Sequence, residues 1–579
     1  MDRVDTARFA PDELPRRVPA VYRRIAEADR PEVWNFLRPQ EEVLAEAEGV
    51  AARARAGERL PLAGALLAVK DNVDVAGMVT TAGCPAYGYL PETSATAVRR
   101  LVAAGAVVLG KTAMDQFATG LAGTRTAGAP VRAAGRPDRV AGGSSAGSAV
   151  AVALGFADLA VGTDTAGSGR VPAAFNGIVG LKPTLGLMPK TGVVPASPSY
   201  DCLSVFARTL AEGQLALEAM TGQDSADPRS RSWPEAVRLS AGERPRLAVP
   251  DDAALAPLSA DARRRFQSTV DTLRAAGVVV ATVDLRPFLA AGALLYDGAL
   301  VAERYAAVGE FIERHRDQVD PVVAGIILAA GELPAHRLSA DQARLDELRA
   351  ETAAALAPFD ALLVPTAAGH PSIAEVEADP VGVPKRTGGY ASFANPLDLA
   401  AVAVPAGTAD GGPFGVTVLT RAFDDQIAID VAALLTGEQA AHPYPAPGID
   451  LIVFGARLRG QPLNGQLVEL GARFLGEART AEQYRMVALP SAPPVPGVLR
   501  AADGSSLVGE RWRIAPAGLG RFLARLRAPM SMGAIELADG DTVIGFQCDS
   551  VAAAAAMDIT GHGGWRAYLG YLSATGSTE

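Results

Sequence analysis

Residues 141–186 read AGGSSAGSAVAVALGFADLAVGTDTAGSGRVPAAFNGIVGLKPTLG. Gly142-Gly143-Ser144-Ser145 is a flexible loop that feeds a helix beginning near Ala146. The run LAVGTD, residues 159–164, is apolar and strand-like, and Thr165-Ala166-Gly167-Ser168-Gly169 follows it as a second tight loop. Loop, helix, strand and loop in that order is the unit of a layered α/β fold, with helices over a largely buried sheet. Small side chains in both loops bring hydroxyls and backbone N–H groups close together. A substrate carbonyl could then approach the amides, as an oxyanion hole requires. Taken alone, each loop also fits an ordinary glycine-rich turn with a serine cap.

The same alternation extends outward. ALLAV before Lys70 reads as a buried strand, and TAVRRLVAAGAVVLGK (96–111) as helix, Gly105, then strand. The first sixty residues, including PEVWNFLRPQEEVLAEAEGVAARARA, read as helical. Residues 223–246 read as a polar surface excursion. Residues 1–435 form one large region, TGEQAAHPYPAPG (436–448) is a proline-rich linker, and IDLIVFG opens a second, smaller domain over 449–579. Gly105-Ala-Val-Val-Leu-Gly110-Lys111-Thr112 matches the spacing of a phosphate-binding loop. Its middle residues look like the strand itself, however, and a helix precedes it, so a nucleotide site is rejected.

Composition narrows the class. A net charge of −10 argues against a nucleic-acid or membrane-surface partner. The N-terminus MDRVDTARFAPDELPRR lacks the apolar core of a signal peptide, and no apolar run is as long as a membrane span. Cys84, Cys202 and Cys548 are few and widely spaced, which fits free thiols in a cytoplasmic protein. No two of the five histidines lie at metal-ligand spacing, so no metal or other cofactor is expected.

A serine nucleophile needs a base. With no histidine in position, lysine is the natural candidate, because arginine stays protonated at any working pH. Only five of the 54 basic residues are lysine: Lys70, Lys111, Lys182, Lys190 and Lys385. Lys70, Lys111 and Lys182 each end an apolar run, and composition does not rank them. Lys190 and Lys385 read as surface residues.

The stretches AVKDNVDVAG (68–77), GKTAMDQFATG (110–120), AGGSSAGSAVAVA (141–153) and GTDTAGSGRVPAAFNGIVGLKPT (162–184) resemble the amidase signature family. The resemblance implies a mixed β-sheet covered by helices on both faces. It also implies a Ser-Ser-Lys triad with Lys70 as base, Ser144 as bridging serine after a cis peptide bond, and Ser168 as nucleophile. The N–H groups of Thr165, Ala166, Gly167 and Ser168 would form the oxyanion hole. Residues 294–312 and 372–407 resemble allophanate hydrolases. This implies Tyr296 and Arg304 as binders of a small anionic substrate, allophanate, with Gly120 contacting its amide. By itself, Arg304 reads as a solvated helix arginine paired with Glu303 or Glu310. FGARLRGQPLNGQL (454–467) and DITGHGGWRAYL (558–569) resemble the second domain of those hydrolases, an α+β domain with a γ-glutamylcyclotransferase-like β-barrel. There Arg457 stands where the family usually has histidine, and Glu510 could be an acid in such a site but reads first as an exposed strand carboxylate. The resemblance further implies release of ammonia and N-carboxycarbamate, a homodimer, and a functional link to a urea carboxylase or to cyanuric acid breakdown. Another small amide as substrate is the alternative.

Overall fold

The computed structural model describes residues 9–438, 444, 447–490 and 495–575. Most of the expected linker 436–448, with His442, and the first eight residues lie outside these. Two compact units emerge. One takes in Asp5–Ser232 and Arg244–Tyr444, the other Trp233–Glu243 and Pro445–Glu579.

The larger unit is built on eleven strands: β1 (Trp34–Leu37), β2 (Leu66–Lys70), β3 (Val107–Thr112), β4 (Leu159–Asp164), β5 (Val179–Lys182), β6 (Cys202–Ala207), β7 (Arg246–Pro250), β8 (Val279–Val283), β9 (Ala361–Pro365), β10 (Ala400–Ala409) and β11 (Gly412–Thr420). They form one sheet in the order β1-β3-β2-β4-β6-β5-β10-β11-β9-β7-β8. It is mixed: β2 runs parallel to β3 and β4, whereas β4 and β6 are antiparallel. Every residue of β2, β3, β4 and β6 is buried. Successive side chains of a strand point to opposite faces, so helices and loops must cover both. One covering helix is Ala146–Ala153, whose Ala149, Val150 and Val152 join Leu14, Val18, Leu66 and Val107 in an apolar core.

The expected helical start of the chain is corrected at one place. Trp34–Leu37, bounded by Pro31 and Pro39, is a strand that pairs antiparallel with the edge of β3. The prolines break the helical period on either side, and the open edge of β3 supplies hydrogen-bond partners. Val107–Thr112 is a strand after the helix Thr96–Ala103, and Lys111 is buried against Asp71 at 3.4 Å, so no phosphate-cradling loop forms there.

In the smaller unit, β12 (Ile449–Val453), β13 (Arg473–Arg479), β16 (Val508–Ile514), β17 (Met530–Glu536) and β18 (Thr542–Cys548) form one sheet in the order β13-β16-β12-β18-β17. A bridge at Thr480–Leu537 brings the ends of its two outer strands together. A second sheet holds β15 (Val495–Arg500), β14 (Tyr484–Leu489) and β19 (Met557–Asp558). The polar excursion 223–246 is not wholly on the surface. Val237 and Leu239 are buried with Ala515, and the Leu239 N–H donates to the Gly471 carbonyl at 2.8 Å.

Candidate active site

Lys70 ends β2 and is fully buried. Its Nζ is hydrogen-bonded to Ser144 Oγ at 2.7 Å and to Thr163 Oγ1 at 2.6 Å. Burial pulls the amine down to about 7, against the opposing pull of Asp115, Asp201 and Asp164. Near neutral pH such an amine is partly unprotonated and able to accept a proton.

Ser144 follows a cis peptide bond from Gly143. Glycine is required there by space, since a Cβ would sit 2.0 Å from Asp115 Oδ2. Buried Asp115 organises the surrounding loops. Its carboxylate accepts from the N–H groups of Gly123 (3.0 Å) and Arg125 (2.9 Å), and its own N–H donates to the Ser144 carbonyl at 3.2 Å. Ser145 and Ser148 point into the packing: Ser145 Oγ donates to the Thr163 carbonyl, and Ser148 Oγ to that of Val161.

Ser168 lies on the loop after β4. That loop is held by Asp164, which accepts from the N–H groups of Gly167 (3.0 Å) and Gly169 (2.9 Å) and from the Arg170 guanidinium (2.8 and 2.9 Å). Burial alone would raise Asp164, but Arg170 outweighs it and holds the carboxyl below its ordinary value. Asn395 closes the frame from the other side, donating to the Asp164 carbonyl at 2.7 Å and accepting from Arg170. Because the Gly167 N–H is taken by Asp164, it leaves the expected oxyanion-hole set in this state. The N–H groups of Ala166 and Ser168 have no acceptor among the described residues. Thr165 Oγ1 donates to Asp201 at 2.6 Å. Ser168 has no hydrogen bond to Ser144 here; the direct link runs from Lys70 to Ser144.

Ser168 opens onto a cavity of about 150 Å³ whose walls include Thr165, Ala166, Gly120, Tyr296 and Arg304. Drug-sized pockets run to about 300–1,000 Å³, so this one suits a small molecule. Tyr296 ends the helix Arg286–Tyr296, and burial pushes its hydroxyl up to about 12. Arg304, on the helix Ala302–Arg314, is 5% exposed. Its Nη1 donates to Thr119 Oγ1 at 2.9 Å. The expected pairing with Glu303 or Glu310 does not occur. Glu303 instead accepts from Ser197 Oγ and the Ser199 N–H. A packed wall of helix Ala302–Arg314 turns the guanidinium inward, where it has no carboxylate partner among the described residues. Lys385, read from sequence as a surface residue, is half-exposed on the cavity wall and pairs with Asp297 at 2.5 Å.

In the smaller unit Glu510 is 3% exposed, not an exposed strand carboxylate. It accepts from the Arg459 N–H, Trp512 Nε1 and Arg566 Nη2, which commits it to structure. The Arg457 guanidinium lies over the Phe546 ring, 4.3 Å from its centre.

The chain belongs to the amidase family, whose model matches residues 16–428, and it is an amidase-signature hydrolase. Residues 449–570 match the allophanate hydrolase C-terminal domain. A solved allophanate hydrolase from Kluyveromyces lactis aligns over 98% of each chain with 33% identity and a TM-score of 0.87. A urea amidolyase from Lachancea kluyveri is 37% identical over 555 residues, covering 89% of this chain but only 30% of the relative. The chain thus spans about a third of that relative's length. A glutamyl-tRNA(Gln) amidotransferase component from Thermus thermophilus is 35% identical over 76% of this chain and 98% of its own.

Proposed function

We propose that this chain hydrolyses allophanate. Neutral Lys70 takes the proton of Ser144, Ser144 takes that of Ser168, and Ser168 Oγ attacks the terminal amide carbon. Developing charge on the carbonyl oxygen is met by backbone N–H groups of the 165–168 loop, those of Ala166 and Ser168 being open. The proton held by the relay returns to the leaving nitrogen, and ammonia departs. Water then attacks the acyl-enzyme by the same relay in reverse and releases N-carboxycarbamate, which loses carbon dioxide to give a second ammonia.

The observation that carries this reading is Arg304. A buried guanidinium without an acid partner is costly, and it stands in the same cavity as Ser168. A substrate carboxylate would satisfy it with paired hydrogen bonds. The test is ammonia release from allophanate against a panel of simple neutral amides, with Ser168→Ala alongside. The reading holds if allophanate turns over fastest and the variant is inactive. A neutral amide turned over faster would favour the alternative, an amidase of another small amide.

The likeness to a longer urea amidolyase supports a functional link to an ATP-dependent urea carboxylase that would supply allophanate. A cytoplasmic homodimer completes the proposal; three free cysteines suit that compartment, and light scattering of the purified chain would report the dimer.

A further inference from the structure

A second buried guanidinium stands in the cavity, and nothing above gives it a role. Arg125 is 7% exposed and lines the same walls as Tyr296 and Arg304. Its Nη1 donates to the Thr119 carbonyl at 2.7 Å, while Arg304 donates to the hydroxyl of the same residue. Its Nη2 donates to the Pro380 carbonyl, next to Val381 and Pro384 of the opposite wall. All of its acceptors are neutral, and no carboxylate pairs with it among the described residues. Asp115, the nearby acid, takes only its backbone N–H. The one acid on the cavity wall, Asp297, is already paired with Lys385. Two like charges therefore share one small space, and among the described residues neither has a carboxylate paired to its guanidinium; Asp201 and Glu303 act on Arg304 only through space. Arg304 sits below its ordinary value chiefly through burial, and Arg125 pulls in the same direction.

We propose that Arg125 is a specificity-determining residue: with Arg304 it makes the cavity a two-guanidinium site that holds a small amide tightly only when its far end is an anion. This rests on reading the cavity as the substrate site. An anion between the two cations removes their mutual repulsion and gains attraction to both, whereas a neutral amide of the same shape leaves the repulsion in place. The hydrogen bonds of Arg125 to two neutral carbonyls set the wall positions, and its charge sets the selectivity.

The two contributions separate by experiment. Malonamate and malonamide have the same shape and differ by one negative charge. Their dissociation constants are measured by calorimetry on the full chain carrying Ser168→Ala, alone and with Arg125→Met or Arg125→Lys. The Ser168→Ala parent is expected to prefer malonamate. Arg125→Met should weaken malonamate at least tenfold and malonamide less than threefold, whereas Arg125→Lys, which keeps the charge, should keep most of the preference. The proposal is overturned if the parent binds malonamate no better than malonamide. It is equally overturned if Arg125→Met weakens both ligands alike, or if Arg125→Lys behaves as Arg125→Met does. Loss of the allophanate activity itself would not produce these patterns: a chain that prefers malonamate yet releases no ammonia from allophanate would refute the proposed function and leave the role of Arg125 standing.

Discussion

Lys70→Arg keeps a positive charge and tests whether position 70 must give up its proton. With Lys70 held at about 7, roughly half the molecules carry the neutral amine at pH 7. An arginine of ordinary pKa would be neutral in about one molecule in 10⁵ or fewer at that pH. General-base help is worth about 10²–10⁴ in rate, so kcat/KM should fall by about 10³, or ~4 kcal/mol of barrier. Position 70 is fully buried, and a larger guanidinium could disturb the packing. Lys70→Met, close in length and uncharged, is the companion variant, and both are checked for an unchanged circular dichroism spectrum and melting temperature. The assay is ammonia release from allophanate between pH 5.5 and 9. The unmodified chain should gain activity as pH rises, with a midpoint near 7, because the base works only after its proton leaves. Below that midpoint kcat/KM should fall about tenfold per pH unit. A folded Lys70→Arg or Lys70→Met protein retaining more than a tenth of kcat/KM would refute the reasoning. So would a flat profile through pH 7.

Arg304→Gln should raise KM for allophanate about 100-fold, equivalent to ~3 kcal/mol of lost charge-assisted hydrogen bonding, with a smaller change in kcat. Its melting temperature should not fall, because the substitution removes a buried charge that lacks a partner; steady-state kinetics and calorimetry check both. Asp164→Asn should leave Arg170 buried without its counter-charge and destabilise the larger unit by about 3–5 kcal/mol, read from denaturant unfolding. It should also lower activity by loosening the Ser168 loop.

Much of this arrangement is legible in the sequence. Glycines and serines packed against a short apolar strand mark residues 141–186 as loop, helix and strand, because each residue type there restricts the local backbone. The family motifs then single out Lys70, Ser144 and Ser168, and the structure joins the first two by hydrogen bond and sets the third at the cavity. Burial is what the residues do not spell out. An arginine at position 304 looks the same in sequence whether it faces solvent or a cavity; only the packing of its helix decides. Glu510 misleads in the same way, since its three donors come from residues 459, 512 and 566. Asp115 and Thr163 both lie in the family motifs, yet nothing in their spacing marks them out. Their importance comes from contacts that only the folded chain shows: Asp115 closes its own loop onto the N–H groups of Gly123 and Arg125, and Thr163 on β4 meets Lys70 on the neighbouring β2. The strand Trp34–Leu37 is hidden for a related reason: four residues carry little period of their own, and the partner that makes them a strand lies more than seventy residues downstream.

The segment Trp233–Glu243 makes the smaller unit discontinuous in the chain. Glu235 accepts from the Ala517 N–H, Glu243 pairs with Arg459, and Val237 and Leu239 are buried beside Ala515. A gene cut before residue 445 would therefore not excise a module. It would strand an apolar segment in the middle of the remaining protein and remove a piece from the fragment released. The compact unit joins 445–579 with residues 233–243, so any reshuffling of these domains has to carry both pieces or replace one.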